Sequence, residues 1–136
     1  MVEIIREEIF ADGQTIFTEG GLDKEVYVVL SGAVDVLKDL FGVMVVVDTI
    51  LAGEVFGEMA FIAGIPRTAT AQAVGETKIG VVDIHALSAE MEAFSPIWRR
   101  ILQNLVFRLK RTTEETLAAC HAMRDTGVSP PSGENP

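Results

Sequence analysis

The segment 56–70, FGEMAFIAGIPRTAT, carries a carboxylate and a guanidinium nine positions apart, Glu58 and Arg67. An arginine can donate to two oxygens of one phosphate, and Thr68 adds a hydroxyl beside it. A carboxylate repels a phosphate, so Glu58 fits such a site only if the ligand also presents a hydroxyl, as a sugar does. Two interpretations stay open: a site for a phosphate attached to a ribose, or a helix-terminal Glu and a surface Arg with no ligand.

Residues 58–63 between these charges are good helix formers, and Gly64 and Pro66 end the run. This pattern predicts a helix of about one and a half turns that begins just after Gly57. The first amide groups of a helix lack partners within it and lie at the positive end of its dipole, so they favour an anion.

The chain before residue 84 has the pattern of short strands separated by glycine turns. Turn signals include Ser31-Gly32, Phe41-Gly42 and Gly75. Many short strands at spacings of about ten residues predict a sandwich, a jelly roll or a barrel. The predicted strands are 14–18, 25–31, 33–38, 43–50, 68–74 and 77–83.

The pattern becomes helical after the strands, with a short helix at 88–92 and a long one that starts at Ser95-Pro96. Two neighbouring stripes of apolar or small residues run along the long helix. Either the helix is wedged into its own domain, or it docks with one stripe and pairs with a second chain through the other. The first stripe is Ile97, Ile101, Leu105, Leu109, Thr112, Thr116, Ala119 and Met123, and the second is Trp98, Leu102 and Val106.

Composition limits the function classes. The chain has 136 residues, 49% of them apolar, which is enough for one globular domain. The net charge of −9 disfavours binding to nucleic acid, and no apolar run approaches the roughly 20 residues of a membrane span. The acidic N-terminus lacks a signal-peptide pattern, so we expect a cytoplasmic protein. The only histidines, His85 and His121, lie far apart, and no nucleophile motif is present, so we expect neither a metal site nor an enzyme.

Residues 53–60 (GEVFGEMA) and 66–69 (PRTA) together resemble the phosphate-binding cassette of cyclic-nucleotide-binding domains, of the type found in catabolite activators and in regulatory subunits of protein kinase A. Segment 13–37 is similar to the opening strands of that family, and the resemblance covers about residues 4–120. It implies a mainly β fold, a jelly-roll (double-stranded β-helix) barrel with a short cassette helix and a long C-terminal helix.

The same resemblance implies a domain over 1–123, with the β-roll at about 4–83 and C-terminal helices at about 85–123. Residues 124–136, rich in Pro, Gly and Ser, are expected to be a flexible tail or linker. The DNA-binding helix-turn-helix of the bacterial activators has no counterpart, so no direct contact with nucleic acid is expected.

The ligand that the resemblance implies is cAMP or cGMP. Glu58 would accept the ribose 2′-hydroxyl, and Arg67 would pair with the cyclic phosphate. The other implied ligand-binding residues of the cassette are Phe56, Gly57, Met59, Ala60, Thr68 and Ala69.

The long helix carries a second resemblance, in RLKRTT at 108–113, to the activator helix that contacts adenine. It implies that Thr112 and Thr113 contact the base, partly across a dimer, within about one residue in register. It also implies that Arg108 pairs with Glu58.

These observations predict a cyclic-nucleotide-sensing regulatory module that forms a homodimer through helix 95–123 and signals through that helix. The alternative is a degenerate scaffold of the same fold that dimerises and binds no nucleotide. The downstream partner is not implied by any of these residues.

Overall fold

A computed structural model of the chain describes residues 3–125. Its strands form one antiparallel sheet in the order β1-β6-β3-β4, while β2 pairs with β6 and β5 pairs with β3. This is the predicted jelly-roll architecture with a short and a long helix, so the predicted fold class is confirmed. The elements in chain order are β1 Ile4–Phe10, β2 Thr15–Phe17, β3 Tyr27–Leu40, β4 Val43–Leu51, β5 Val55–Phe56, α1 Glu58–Ala63, β6 Thr70–Val82, α2 Ile84–Glu92 and α3 Pro96–Asp125.

Two of the predicted turns are wrong, because β3 and β6 are each one long strand where the glycine pattern predicted two. Gly32, with φ of +86°, and Gly75, with φ of +68°, bend these strands without ending them. The buried hydroxyl of Thr77 donates to the carbonyl oxygen of Ala33 at 3.0 Å and of Gly75 at 3.1 Å. Backbone groups at the bends therefore keep partners, and the ladder continues across them.

Other boundaries differ from the predictions for local reasons. Strand β1 was not predicted, since its centre is charged, yet it pairs with β6 along its length. Helix α2 begins four residues before the predicted start because the Asp83 side chain accepts from the amides of His85 and Ala86 and so caps it. Helix α1 matches the prediction and ends at Gly64 in the left-handed conformation. Of the predicted tail 124–136, the part 126–136 lies outside the described residues.

The hydrophobic core lies between β3, β5 and β6, directly beneath the cassette. Val29, Val34 and Ile79 are completely buried at its centre. Tyr27 and Phe56 stack beside them with ring centroids 5.2 Å apart. The cassette therefore packs against a rigid core, because close-packed side chains leave little room for movement.

Helix α3 docks on the barrel through its inner face and through a buried lysine. Val106 on that face is buried. The Nζ atom of Lys38 on β3 donates to the Thr68 carbonyl oxygen at 2.7 Å and to Glu114 Oε2 on α3 at 3.3 Å. It also lies 3.4 Å from Glu19 Oε2. One buried ammonium thus joins the barrel, the cassette and the long helix.

The opposite face of α3 remains exposed. Ile97, Ile101 and Leu105 of the first predicted stripe are 60%, 38% and 53% exposed, while Leu102 and Val106 of the second stripe turn inward. Trp98, also assigned to the second stripe, is 59% exposed. The helix therefore docks with Leu102 and Val106 of the second stripe and leaves the N-terminal part of the first stripe exposed.

Among residues 3–125, no helix has both the length and the apolar character needed to cross a bilayer.

We predict that Lys38→Met lowers the free energy of unfolding by about 1–3 kcal/mol, because it leaves the Thr68 carbonyl without its donor and removes the ion pair with Glu19. Lys78→Met is the matched control, since Lys78 is half-buried and its ion pair with Glu7 lies at the surface, where such a pair is worth about 0–1 kcal/mol. Urea denaturation of both variants measures the difference. Equal loss of stability would contradict the role assigned to Lys38.

Candidate functional site

Arg67 is the centre of the site and is held from three sides. Its Nη1 donates to the carbonyl oxygen of Gly57 at 2.7 Å. Its Nη2 donates to the carbonyl oxygen of Glu25 at 2.7 Å and to Asp23 Oδ2 at 2.5 Å. The guanidinium carbon also lies 4.0 Å from the ring centroid of Phe17, in a cation–π contact.

The interpretation of Arg67 as a surface residue is wrong, because its side chain is only 1% exposed. Its Nε is buried and has no hydrogen-bond partner among the described residues. A guanidinium has five N–H donors, and the contacts above use three of them. The arginine is therefore positioned by the protein yet keeps donors for an acceptor that the protein does not supply, as a phosphate oxygen would be.

Gly57 allows the close approach of this arginine. It precedes α1 with φ of +82°, in the left-handed region that glycine tolerates. A Cβ at this position would lie 2.9 Å from Arg67 Nη1 and 3.0 Å from the Glu25 carbonyl oxygen. Only a residue without a side chain leaves space for the guanidinium.

Glu58, the first residue of α1, lies in the same wall. Burial raises its pKa, and the nearby positive charge of Arg67 offsets only part of that rise. Since the pKa is raised in the folded state, stability gained by protonation is present at low pH and is lost as the pH rises through the raised pKa. At neutral pH the ionised carboxylate therefore costs stability, which indicates that Glu58 serves something other than folding.

The cassette encloses a cavity of about 140 Å³, called here the cassette cavity. A second cavity of about 180 Å³, the base-side cavity, adjoins it and shares walls formed by Met59, Thr68 and Leu109. The structure brings eight of the predicted ligand-binding residues to the cassette cavity, namely Phe56, Gly57, Glu58, Met59, Ala60, Arg67, Thr68 and Ala69.

A larger cavity of about 650 Å³ lies between the β3–β4 hairpin and the C-terminal half of α3. None of the predicted site residues lines it, and it is widely open. The site is therefore assigned from its chemistry, not from cavity size.

The three predicted residues on α3 lie on two different faces of the helix. Thr113 lines the base-side cavity. Arg108 and Thr112 are exposed on the same outward face as Ile101 and Leu105, and Arg108 makes no ion pair with Glu58 within the described part of the chain. Their assignment as ligand contacts remains a prediction.

Several residues of the site were not predicted from the sequence. Asp23 and Phe17 contact Arg67, while Asp48 of β4 and Leu109 of α3 line both cavities. Asp23 lies 44 positions from its arginine, so no local spacing links the two. The only available signal for Leu109 was its place in the apolar stripe, which indicated packing and not ligand contact.

Comparison with known proteins agrees with this geometry. The family described as Cyclic nucleotide-binding domain matches residues 7–94, which is more than half of the chain. The protein therefore belongs to the cyclic nucleotide-binding domain family.

The chain is 29% identical over 104 residues to the cAMP-dependent protein kinase regulatory subunit of Mucor circinelloides f. lusitanicus, a match that covers 76% of this chain and 24% of that protein. It therefore spans about a quarter of the length of that relative. Among solved structures it is similar to the regulatory domain of Toxoplasma gondii PKA with cAMP, with a TM-score of 0.60, 29% identity, and coverage of 81% of this chain and 39% of the other. The cAMP-bound EAL enzyme Bd1971 shares the fold with a TM-score of 0.76 at 20% identity, covering 89% of this chain and 32% of that one.

We predict that Gly57→Ala destabilises the protein more than Gly53→Ala. Both glycines have positive φ, so each change costs about 1–2 kcal/mol of backbone strain. Only Gly57 also meets Arg67 and the Glu25 carbonyl, which adds about 1–3 kcal/mol, whereas a Cβ at Gly53 meets nothing within 4 Å. Thermal unfolding of the two variants gives the comparison, and equal melting temperatures would refute the close packing described at Gly57.

Proposed function

We propose that this domain senses a 3′,5′-cyclic nucleotide, cAMP or cGMP, bound in the cassette and base-side cavities. The observation that carries the proposal is the buried guanidinium of Arg67, which lines the cassette cavity and keeps an unpartnered Nε. The cyclic phosphate supplies the missing acceptor. Glu58, in the same wall, accepts the ribose 2′-hydroxyl, which offsets the cost of its burial.

The alternative, a scaffold of the same fold without a ligand, is less consistent with these side chains. Burying a guanidinium and a carboxylate costs free energy unless each finds a suitable partner. A scaffold gains nothing from Glu58, whose ionised form destabilises the ligand-free fold at neutral pH.

The signal passes to α3 in this proposal because that helix forms part of both cavities. Leu109 lines both cavities, and Thr113 lines the base-side cavity. A ligand that contacts the cassette and the helix together favours the helix position that gives both contacts. The Lys38 contacts to the Thr68 carbonyl and to Glu114 join the same two parts.

We further propose that α3 forms a homodimer interface through residues 95–123. The outward stripe of Ile97, Ile101 and Leu105 supports this, because apolar side chains repeated along one helix face favour pairing with a second helix. Arg108 and Thr112 continue the same face, so in a dimer they lie next to the partner chain. Their predicted ligand contacts are then made across the interface.

We expect isothermal titration calorimetry to detect binding of cyclic AMP or cyclic GMP to the purified domain. Arg67→Lys should weaken that binding by roughly a hundredfold, because an ammonium cannot replace the positioned guanidinium. Arg111→Lys makes the same change on the exposed surface of α3 and should leave affinity unaltered. A folded wild-type domain that binds no cyclic nucleotide at millimolar concentration would favour the scaffold.

Glu58→Gln tests the sugar contact separately. It should weaken binding of cyclic AMP by about tenfold while changing the affinity for 2′-deoxy cyclic AMP very little, since that ligand lacks the hydroxyl. The ligand-free variant should melt at or above the wild-type temperature, because the substitution removes a buried charge. Equal losses for both nucleotides would show that Glu58 does not contact the 2′-hydroxyl.

For the dimer, we expect sedimentation velocity to show a wild-type dimer and Ile101→Glu to weaken it by about a hundredfold, since the change puts a charge at the centre of the interface. Phe107→Glu is the matched control, an exposed apolar residue about a third of a turn from the stripe at roughly 3.6 residues per turn. A wild-type monomer at high concentration, or equal effects of the two variants, would refute this interface.

A further inference from the structure

The base-side cavity carries charged groups that the phosphate and ribose contacts leave unused. Asp48 of β4 lines this cavity and the cassette cavity, so it lies where the two meet. Lys110 of α3 lines the base-side cavity with it. An anionic wall and a cationic wall therefore face the same space of about 180 Å³.

Strand register places Asp48 on the face of β4 that lines the cavities. Val36 of β3 pairs with Asp48, whereas the next residue, Leu37, pairs with Val46. Val47 is therefore an extra residue on β4, and both Val47 and Asp48 line the cavity. Paired side chains of antiparallel strands share a face and alternate along each strand, so Asp48, opposite Val36, lies on the same face as Ile50, opposite Val34. The bulge at Val47 comes after this regular register and adds a second residue of β4 to the lining.

Both charged groups keep hydrogen-bonding capacity for a ligand. Asp48 Oδ1 accepts the backbone amide of Thr49 at 2.8 Å, and no cation lies within ion-pair distance of Asp48 among residues 3–125. Lys110 Nζ contacts Glu114 Oε2 at 2.8 Å, which uses one of the three donors of an ammonium. The cavity thus offers acceptors from β4 and donors from α3.

Guanine matches this arrangement better than adenine does. Guanine presents two adjacent donors, N1–H and the N2 amino group, next to the O6 acceptor. Adenine presents the N6 amino donor next to the N1 acceptor, whose lone pair is repelled by a carboxylate. Asp48 can accept from both guanine donors while Lys110 donates to O6.

We propose that Asp48 and Lys110 make the site selective for cyclic GMP over cyclic AMP. The proposal rests on the cyclic-nucleotide function proposed above and specifies its base. The charge of Asp48 also lies close enough to Glu58 to add, after burial, to the rise in the Glu58 pKa, which agrees with its position at the junction of the cavities.

Calorimetry with three cyclic nucleotides tests the proposal on the wild-type domain. Cyclic GMP should bind roughly tenfold to a hundredfold more tightly than cyclic AMP, the range expected for one charge-assisted bidentate contact. Cyclic IMP, which keeps N1–H and O6 but lacks the N2 amino group, should bind with intermediate affinity.

Asp48→Asn provides the matching substitution, because an amide accepts from adenine N6 and donates to adenine N1. It should weaken the binding of cyclic GMP by about tenfold or more and leave the binding of cyclic AMP unchanged or tighter. Asp48 is exposed, so the fold should tolerate the change, which the melting temperature checks. Asp35→Asn is the control: this residue lies on the neighbouring strand, contacts Thr49 and lines neither cavity, and its variant should bind both nucleotides as the wild type does.

Cyclic AMP bound as tightly as cyclic GMP, or an unchanged ratio in Asp48→Asn, overturns the guanine assignment and leaves the cyclic-nucleotide function standing. A folded wild-type domain that binds none of the three nucleotides overturns both proposals.

Discussion

The burial of one guanidinium is the constraint on which the rest of the site depends. Arg67 is held by two backbone carbonyls, the carboxylate of Asp23 and the ring of Phe17, and these come from separate parts of the chain. A buried charge is tolerated only when such partners are already in place. Gly57 leaves the space that this guanidinium occupies, and the stacked rings of Phe17 and Tyr27 lie beside it.

The site is built at some expense to the ligand-free fold. Burial raises the pKa of Glu58, so its ionised form is unfavourable at neutral pH, and the Nε of Arg67 is buried without a partner. Both costs are of the kind that a bound ligand removes, because a sugar hydroxyl and a phosphate oxygen supply the missing partners. Functional sites commonly hold groups that the fold alone would not favour.

The long helix belongs to the site as well as to the outer surface. Leu109 of this helix lines both cavities, and Thr113 lines the base-side cavity. Lys38 joins the helix to the carbonyl of Thr68 through its contact with Glu114. Its outer face carries the exposed apolar stripe. In the proposed function, a ligand contact on the inner side of this helix changes the position of its outer side.

The local sequence pattern was enough to predict the structural features that depend on interactions within a few residues. The sequence predicted the alternation of strands, the end of the cassette helix at Gly64 and the start of α3 at Pro96. Glycine, proline and helix propensity act within a few residues, so these features need no distant contacts. The eight cassette residues were found through a local motif. Tertiary structure alone decided that Arg67 is buried, that Asp23 is its partner and that Asp48 lines the cassette and base-side cavities. These depend on pairings between distant segments and on strand register, which no spacing along the chain encodes.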